Sequence, residues 1–181
     1  MGLRGARVLV LATAALGTPC AACGSPLPSV QPEDPGGCQA YVPPSTFSPT
    51  SPTVTFSADV MPIVLRSCAF ASCHGSESGP TGGMYLGADE EATYENIVNV
   101  PSNDVPTMMR VKPGDPANSF LQHKIDGDAC TVAACSATCA ELMPQGQDLM
   151  AVNDRLTVRA WIAQGAPSDI PGFDAGLGTE Q

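Results

Sequence analysis

Four stretches of the chain carry a helical hydrophobic period, all are short, and nothing between them alternates as a strand would. In the first, Ser57 is placed to cap, Asp59 suits the positive end of a helix dipole, and Val60, Ile63 and Val64 share a face behind Phe56. Pro62 is near enough to the start to cost few hydrogen bonds. Asp89–Val98 predicts a second helix, acidic at its start. Asp115-Pro116 predicts a third, with proline at the first helical position and Phe120, Leu121 and Ile125 as its apolar face. Asn153 or Asp154 opens the last, which buries Leu156, Trp161 and Ile162 and stops at Gly165. The expectation is an all-α fold. Four short helices joined by long irregular segments make a poor core by themselves, so something else should fill the middle.

The flanks read differently. Arg4 and Arg7 precede an apolar run, Val8–Gly17, which is too short to span a membrane as a stable helix. Residues 1–22 therefore read as a signal peptide. Cys20-Ala21-Ala22-Cys23 resembles a bacterial lipobox, which makes Cys23 the expected lipidation site and new N-terminus. Residues 23–53, rich in Pro, Ser and Gly, read as a tether, and residues 168–181 as a flexible acidic tail. The folded unit is then expected at 54–167. Eight cysteines suit an exported protein better than a reduced cytosolic one. The formal charge of −10 argues against a nucleic-acid partner.

The strongest chemical signal lies directly after the first helix, in Cys68-Ala69-Phe70-Ala71-Ser72-Cys73-His74. Covalent haem attachment needs two thiols, one for each vinyl group, and a histidine directly after the second thiol to reach the iron. Four residues separate the cysteines here, where two is usual. The wider loop can still present both sulfurs on one side of a helix end. The alternative reading is a local Cys68–Cys73 disulfide with His74 incidental. A second axial ligand would come from a distant loop, and Leu142-Met143-Pro144-Gln145-Gly146 offers a thioether held by Pro and Gly.

At this point the order of motifs carries a resemblance. Phe56–Leu65, the Cys/Cys-His element, Gly83-Met84-Tyr85-Leu86, Lys112–Leu121, Met143-Pro144 and Trp161–Pro167 follow one another as in the planctomycete-type cytochrome c domain of the class I cytochrome c superfamily. The resemblance spans nearly all of Val54–Pro167. It implies a small all-helical fold around one covalent haem c, with the first and last helices packed together near it. It also implies His74 and Met143 as iron ligands. Two features depart from the pattern: the Cys68/Cys73 spacing, and a cysteine-bearing insert, Cys130–Cys139, before Met143.

Other residues compete for these roles. His123 reads as a solvated helix residue, with sixth ligand as its alternative. Met84 and Met150 are further thioethers, and Met84 reads as core filler. Met108 or Met109 is the rival to Met143. Arg110 and Lys112 stand among few cations and could pair with haem propionates or simply be surface charge. Cys38, Cys130, Cys135 and Cys139 remain once lipidation and haem have taken their thiols. Three of the four share one insert, so full pairing links Cys38 to one of those three; a zinc site of four thiolates is the alternative.

The functional expectation is a single-haem electron carrier rather than an enzyme, because His and Met together saturate the iron. It would sit in the periplasm or at the cell surface, anchored to a membrane by its lipid. Its acidic surface would suit redox partners with a basic docking patch. Two alternatives stand beside it: a haem enzyme or ligand sensor whose iron has an open site, and a haem-free, disulfide-stapled surface lipoprotein.

Overall fold

The computed structural model describes residues 38–135 and 139–173 of the 181-residue chain. The expected leader, Cys23 and the stretches 24–37 and 174–181 lie outside the described residues. Among the described residues there are four α-helices and no strands: α1 (Met61–Ser67), α2 (Glu90–Ile97), α3 (Phe120–Asp126) and α4 (Val152–Ala163). No described helix is long and apolar enough to cross a membrane.

The helix starts follow local hydrogen bonding. A π-helical turn, Phe56–Val60, runs straight into α1, and Pro62 falls in the first turn of α1, where the π-helical and α-helical bonding meet. The helical run begins before Ser57, the expected cap, because Asp59 reaches back to the N–H and hydroxyl of Thr55 at 2.7 and 2.9 Å. Ser57 instead donates its hydroxyl to Glu90. Asp89 caps α2, accepting from the Ala92 N–H, one residue before the helix itself begins.

The expected third helix is split. Asp115 caps a single 3-10 turn, Pro116–Asn118, and Ser119 is extended before α3 begins. Ser119 is held in that shape by its hydroxyl, which accepts from the Lys112 N–H at 2.8 Å and donates to the Asp115 carbonyl at 2.9 Å. Gly127, at φ 73°, ends α3 in a left-handed cap that most side chains would resist. The final helix opens at Val152, one residue before the earliest expected start, and Gly165 lies just past its end.

Aromatic packing joins the two ends of the domain. Phe56 lies 5.4 Å from Trp161 and 5.2 Å from Tyr94, and all three are buried. The start of the first helical run thus packs on α4. Asp126, whose side chain is fully buried, ties α3 to α4 through Arg155 at 3.0 Å and through Arg159.

The folded unit extends beyond the expected 54–167. Cys38 is bonded to Cys130, the Tyr41 N–H donates to Asp128 at 2.7 Å, and the Tyr41 ring lies 4.5 Å from the Arg155 guanidinium. Gln164 binds the carbonyls of Pro49 and Pro52 and accepts from the Val54 N–H. At the other end Asp169 accepts from the Ser57 N–H, and the Phe173 ring lies 5.5 Å from Tyr94. Cys38, Tyr41, Pro49, Pro52, Asp169 and Phe173 thus all make contacts with the helical unit.

Candidate functional site

A cavity of about 630 Å³ opens between the end of α1, α3 and the loop before α4, a size typical of cofactor sites. Cys68, Cys73, His74 and Met143 all line it. Much of the remaining wall is apolar, including Phe70, Met84, Leu86, Leu121, Ile125 and Met150.

The loop after α1 sets its own shape. The Cys73 and Gly75 N–H groups both donate to the Phe70 carbonyl, at 2.8 and 3.0 Å. The His74 N–H reaches back to the Cys68 carbonyl at 3.4 Å. These bonds coil the chain so that the long Cys68–Cys73 spacing still brings both sulfurs to one cavity. Gly75 is required by the coil, since a Cβ there would stand 2.2 Å from the Ala69 carbonyl oxygen. Cys68 and Cys73 are unbridged, unlike the alternative reading of a local disulfide. Burial pushes the Cys68 thiol up to about 11, with the neighbouring Cys73 adding to the rise. Cys73 is exposed.

His74 is buried, and its Nδ1 lies 3.0 Å from the Met84 carbonyl. A carbonyl can only accept, so Nδ1 carries the proton and donates. In the neutral ring that tautomer leaves the lone pair on Nε2, which makes no hydrogen bond among the described residues. The Leu86 N–H donates to the His74 carbonyl at 2.8 Å, fixing the segment that carries the acceptor.

The competing residues divide between the cavity and other places. His123 does not line the cavity; its Nδ1 faces Asp128 at 2.8 Å and its Nε2 the Ala117 carbonyl at 2.9 Å. It is half-buried and doubly bonded rather than solvated. Met108 and Met109 do not line the cavity, whereas Met84 and Met150 do. Arg110 is buried and lines it, donating to the main-chain carbonyls of Asn96 at 2.6 Å and Gly83 at 3.0 Å. Burial holds its pKa down. Lys112 is not brought there: its ammonium is exposed and pairs with Asp115 at 2.9 Å.

Sequence reasoning missed Lys124. It is 7% exposed, lines the cavity, and donates to the Cys139 carbonyl at 2.8 Å. Burial lowers its pKa, against the opposing pull of Asp104 and Glu141. The available signal was its place one turn after Phe120 on the apolar face of α3; its ammonium lies 5.9 Å from that ring.

The four other candidate cysteines pair as Cys38–Cys130 and Cys135–Cys139. The zinc alternative is thereby set aside for them, and no group of three or more His, Cys, Asp or Glu gathers as a metal site among the described residues.

The cavity can take a haem-sized group on chemical grounds. It offers two free thiols beside a histidine with an available Nε2, a thioether on another loop, an apolar wall and a buried guanidinium whose hydrogen bonds among the described residues go to neutral carbonyls. No protein-family model, curated protein or solved structure matches the chain.

Proposed function

We propose that the chain is a single-haem c-type cytochrome that carries electrons. The observation that carries this reading is the convergence of Cys68, Cys73, His74 and Met143 on one cavity, with the His74 tautomer set by the Met84 carbonyl. Cys68 and Cys73 would hold the group covalently, and His74 and Met143 would ligate its iron. When bound, the haem supplies reversible one-electron exchange at that iron. The chain's own work is to keep both ligands in place in either redox state and to exclude water. Leu86, Leu121 and Ile125 line the cavity with apolar surface for that purpose. Arg110 would meet an acidic substituent of the group, since its present partners are neutral.

The same reading covers location and partners. An exported, Cys23-lipidated chain would hold its domain at the outer face of a bacterial membrane. The formal charge of −10 becomes more negative once the leader carrying Arg4 and Arg7 is removed, so the chain would dock partners through a basic patch, at a rate that falls with salt.

The test is expression in a host with the haem-attachment machinery, followed by a visible spectrum and a haem stain after denaturing electrophoresis. Wild type should be coloured and should keep its haem through acid–acetone extraction. The Cys68→Ala, Cys73→Ala double variant should not. A colourless wild-type protein would favour the haem-free lipoprotein, and rapid binding of cyanide or CO would favour the open-iron enzyme or sensor.

A further inference from the structure

We propose that Lys124 is a positioning residue for Met143, and that the disulfide-stapled insert is the far anchor of the same device. The inference rests on the reading of Met143 as an iron ligand.

Lys124 makes two contacts with one short segment. Its carbonyl accepts from the Met143 N–H at 2.8 Å, and its ammonium donates to the Cys139 carbonyl at 2.8 Å. One residue of α3 thus grips both ends of Cys139–Met143. Cys139 is buried and also bonded to Cys135. The insert behind it is fixed again by Cys38–Cys130. Between the grips, Glu141 is exposed and Leu142 and Met143 are only partly covered, so little packing holds the segment. A ligand loop of that kind would otherwise wander, and weak thioether ligation would be the first property lost.

The position of the lysine is costly enough to need a reason. A buried ammonium normally sits in an ion pair, and Lys124 has no carboxylate within ion-pair distance among the described residues. Among the described residues its ammonium donates to the Cys139 carbonyl. A long, straight side chain on the Phe120 face of α3 is what reaches that carbonyl from inside the cavity.

The test uses the haem-loaded full chain and compares Lys124→Leu, Lys124→Arg and a Cys135→Ser, Cys139→Ser double variant with wild type. Three quantities are read: covalent haem content, the weak long-wavelength Fe–S charge-transfer band of the oxidised protein, and the affinity for added imidazole. Lys124→Leu should keep its covalent haem, lose most of the band and bind imidazole at least about tenfold more tightly. Lys124→Arg, which keeps a cationic donor, should recover part of the band. The double variant should weaken the band less than Lys124→Leu does. A lost charge alone would shift the potential and leave the band and imidazole affinity untouched, so these two readouts separate positioning from electrostatics. A Lys124→Leu protein with the wild-type band and imidazole affinity overturns the proposal and leaves the cytochrome reading standing. Should that variant not fold, an unchanged band in the double variant overturns it. Wild type with covalent haem but no such band removes Met143 as ligand, and this proposal with it; wild type without haem removes the cytochrome reading itself.

Discussion

The Nδ1 of His74 donates to the carbonyl of Met84, ten residues further along, at 3.0 Å. The bond uses the main chain of Met84 and leaves its thioether free of that task. It orients the imidazole and leaves Nε2 free for the proposed iron, as when an outer partner fixes the tautomer of a ligating histidine.

Methionine substitutions should therefore sort by position. In the haem-loaded protein, Met143→Ala should abolish the long-wavelength band, lower the potential and admit external ligands. Met84→Ala should keep the band, because its carbonyl remains. Met108→Ala and Met109→Ala should leave it unchanged, since neither side chain lines the cavity. Absorption spectra and redox titration of the four proteins check this. A band that survives Met143→Ala removes Met143 from the ligand set.

Gly75 tests the coil that presents the thiols. An added Cβ would stand 2.2 Å from the Ala69 carbonyl oxygen and 2.7 Å from its carbon, both backbone atoms that move only with the loop. Gly75→Ala should destabilise by about 2 kcal/mol or more, read as a lower urea midpoint at unchanged slope. Gly79→Ala is the control, because a Cβ there meets nothing within 4 Å. It should change stability by no more than about 0.5 kcal/mol.

Much of this was legible in the sequence, because hydrophobic period and motif order are local. The four helices lie where their apolar residues recur, and Cys68, Cys73, His74 and Met143, singled out by their motifs, line one cavity. What failed depended on contacts distant in sequence. Residues 38–53 have the composition of a linker; cysteine pairing already pointed to a link from Cys38 to the insert, but the Gln164 bonds to Pro49 and Pro52 had no signal in the sequence. Lys112 faces outward and Lys124 inward for a similar reason. Charge alone cannot separate them, but Asp115 takes Lys112 outward while the Phe120 face carries Lys124 inward.

The two disulfides should differ in worth. Cys38–Cys130 closes a separation of 92 residues, and Cys135–Cys139 one of 4. In the chain-entropy account the first contributes roughly 4.5 kcal/mol and the second about 2 kcal/mol. Cys38→Ser, Cys130→Ser should therefore lower the unfolding free energy more than Cys135→Ser, Cys139→Ser, as read by urea titration with m-values compared. Equal losses would mean that the unfolded chain is not what the long bridge constrains.

His123 supplies a pH dependence with a defined sign. Its Nδ1 faces a carboxylate oxygen of Asp128 and its Nε2 the Ala117 carbonyl, at 2.8 and 2.9 Å. A neutral imidazole can donate only once, so both bonds together describe the imidazolium. The hydrogen bond to Asp128 raises the His123 pKa above its ordinary value; burial and the nearby Arg159 oppose the rise, and the Ala117 carbonyl reinforces it. A folded-state pKa above the unfolded one means the native state binds the proton more tightly. The stabilisation is then complete below about pH 6.5, the unfolded value, and fades as pH rises through the higher folded value. Asp128 also receives the Tyr41 N–H at 2.7 Å, so losing the imidazolium weakens one of two bonds on the carboxylate that holds residues 38–41. His123→Gln keeps a donor for Asp128 without a titrating charge. Urea midpoints from pH 5.5 to 9 should show wild type ahead of His123→Gln in acid, with the gap narrowing towards alkaline pH. A gap that stays constant over that range would show that the proton on His123 adds nothing to the fold.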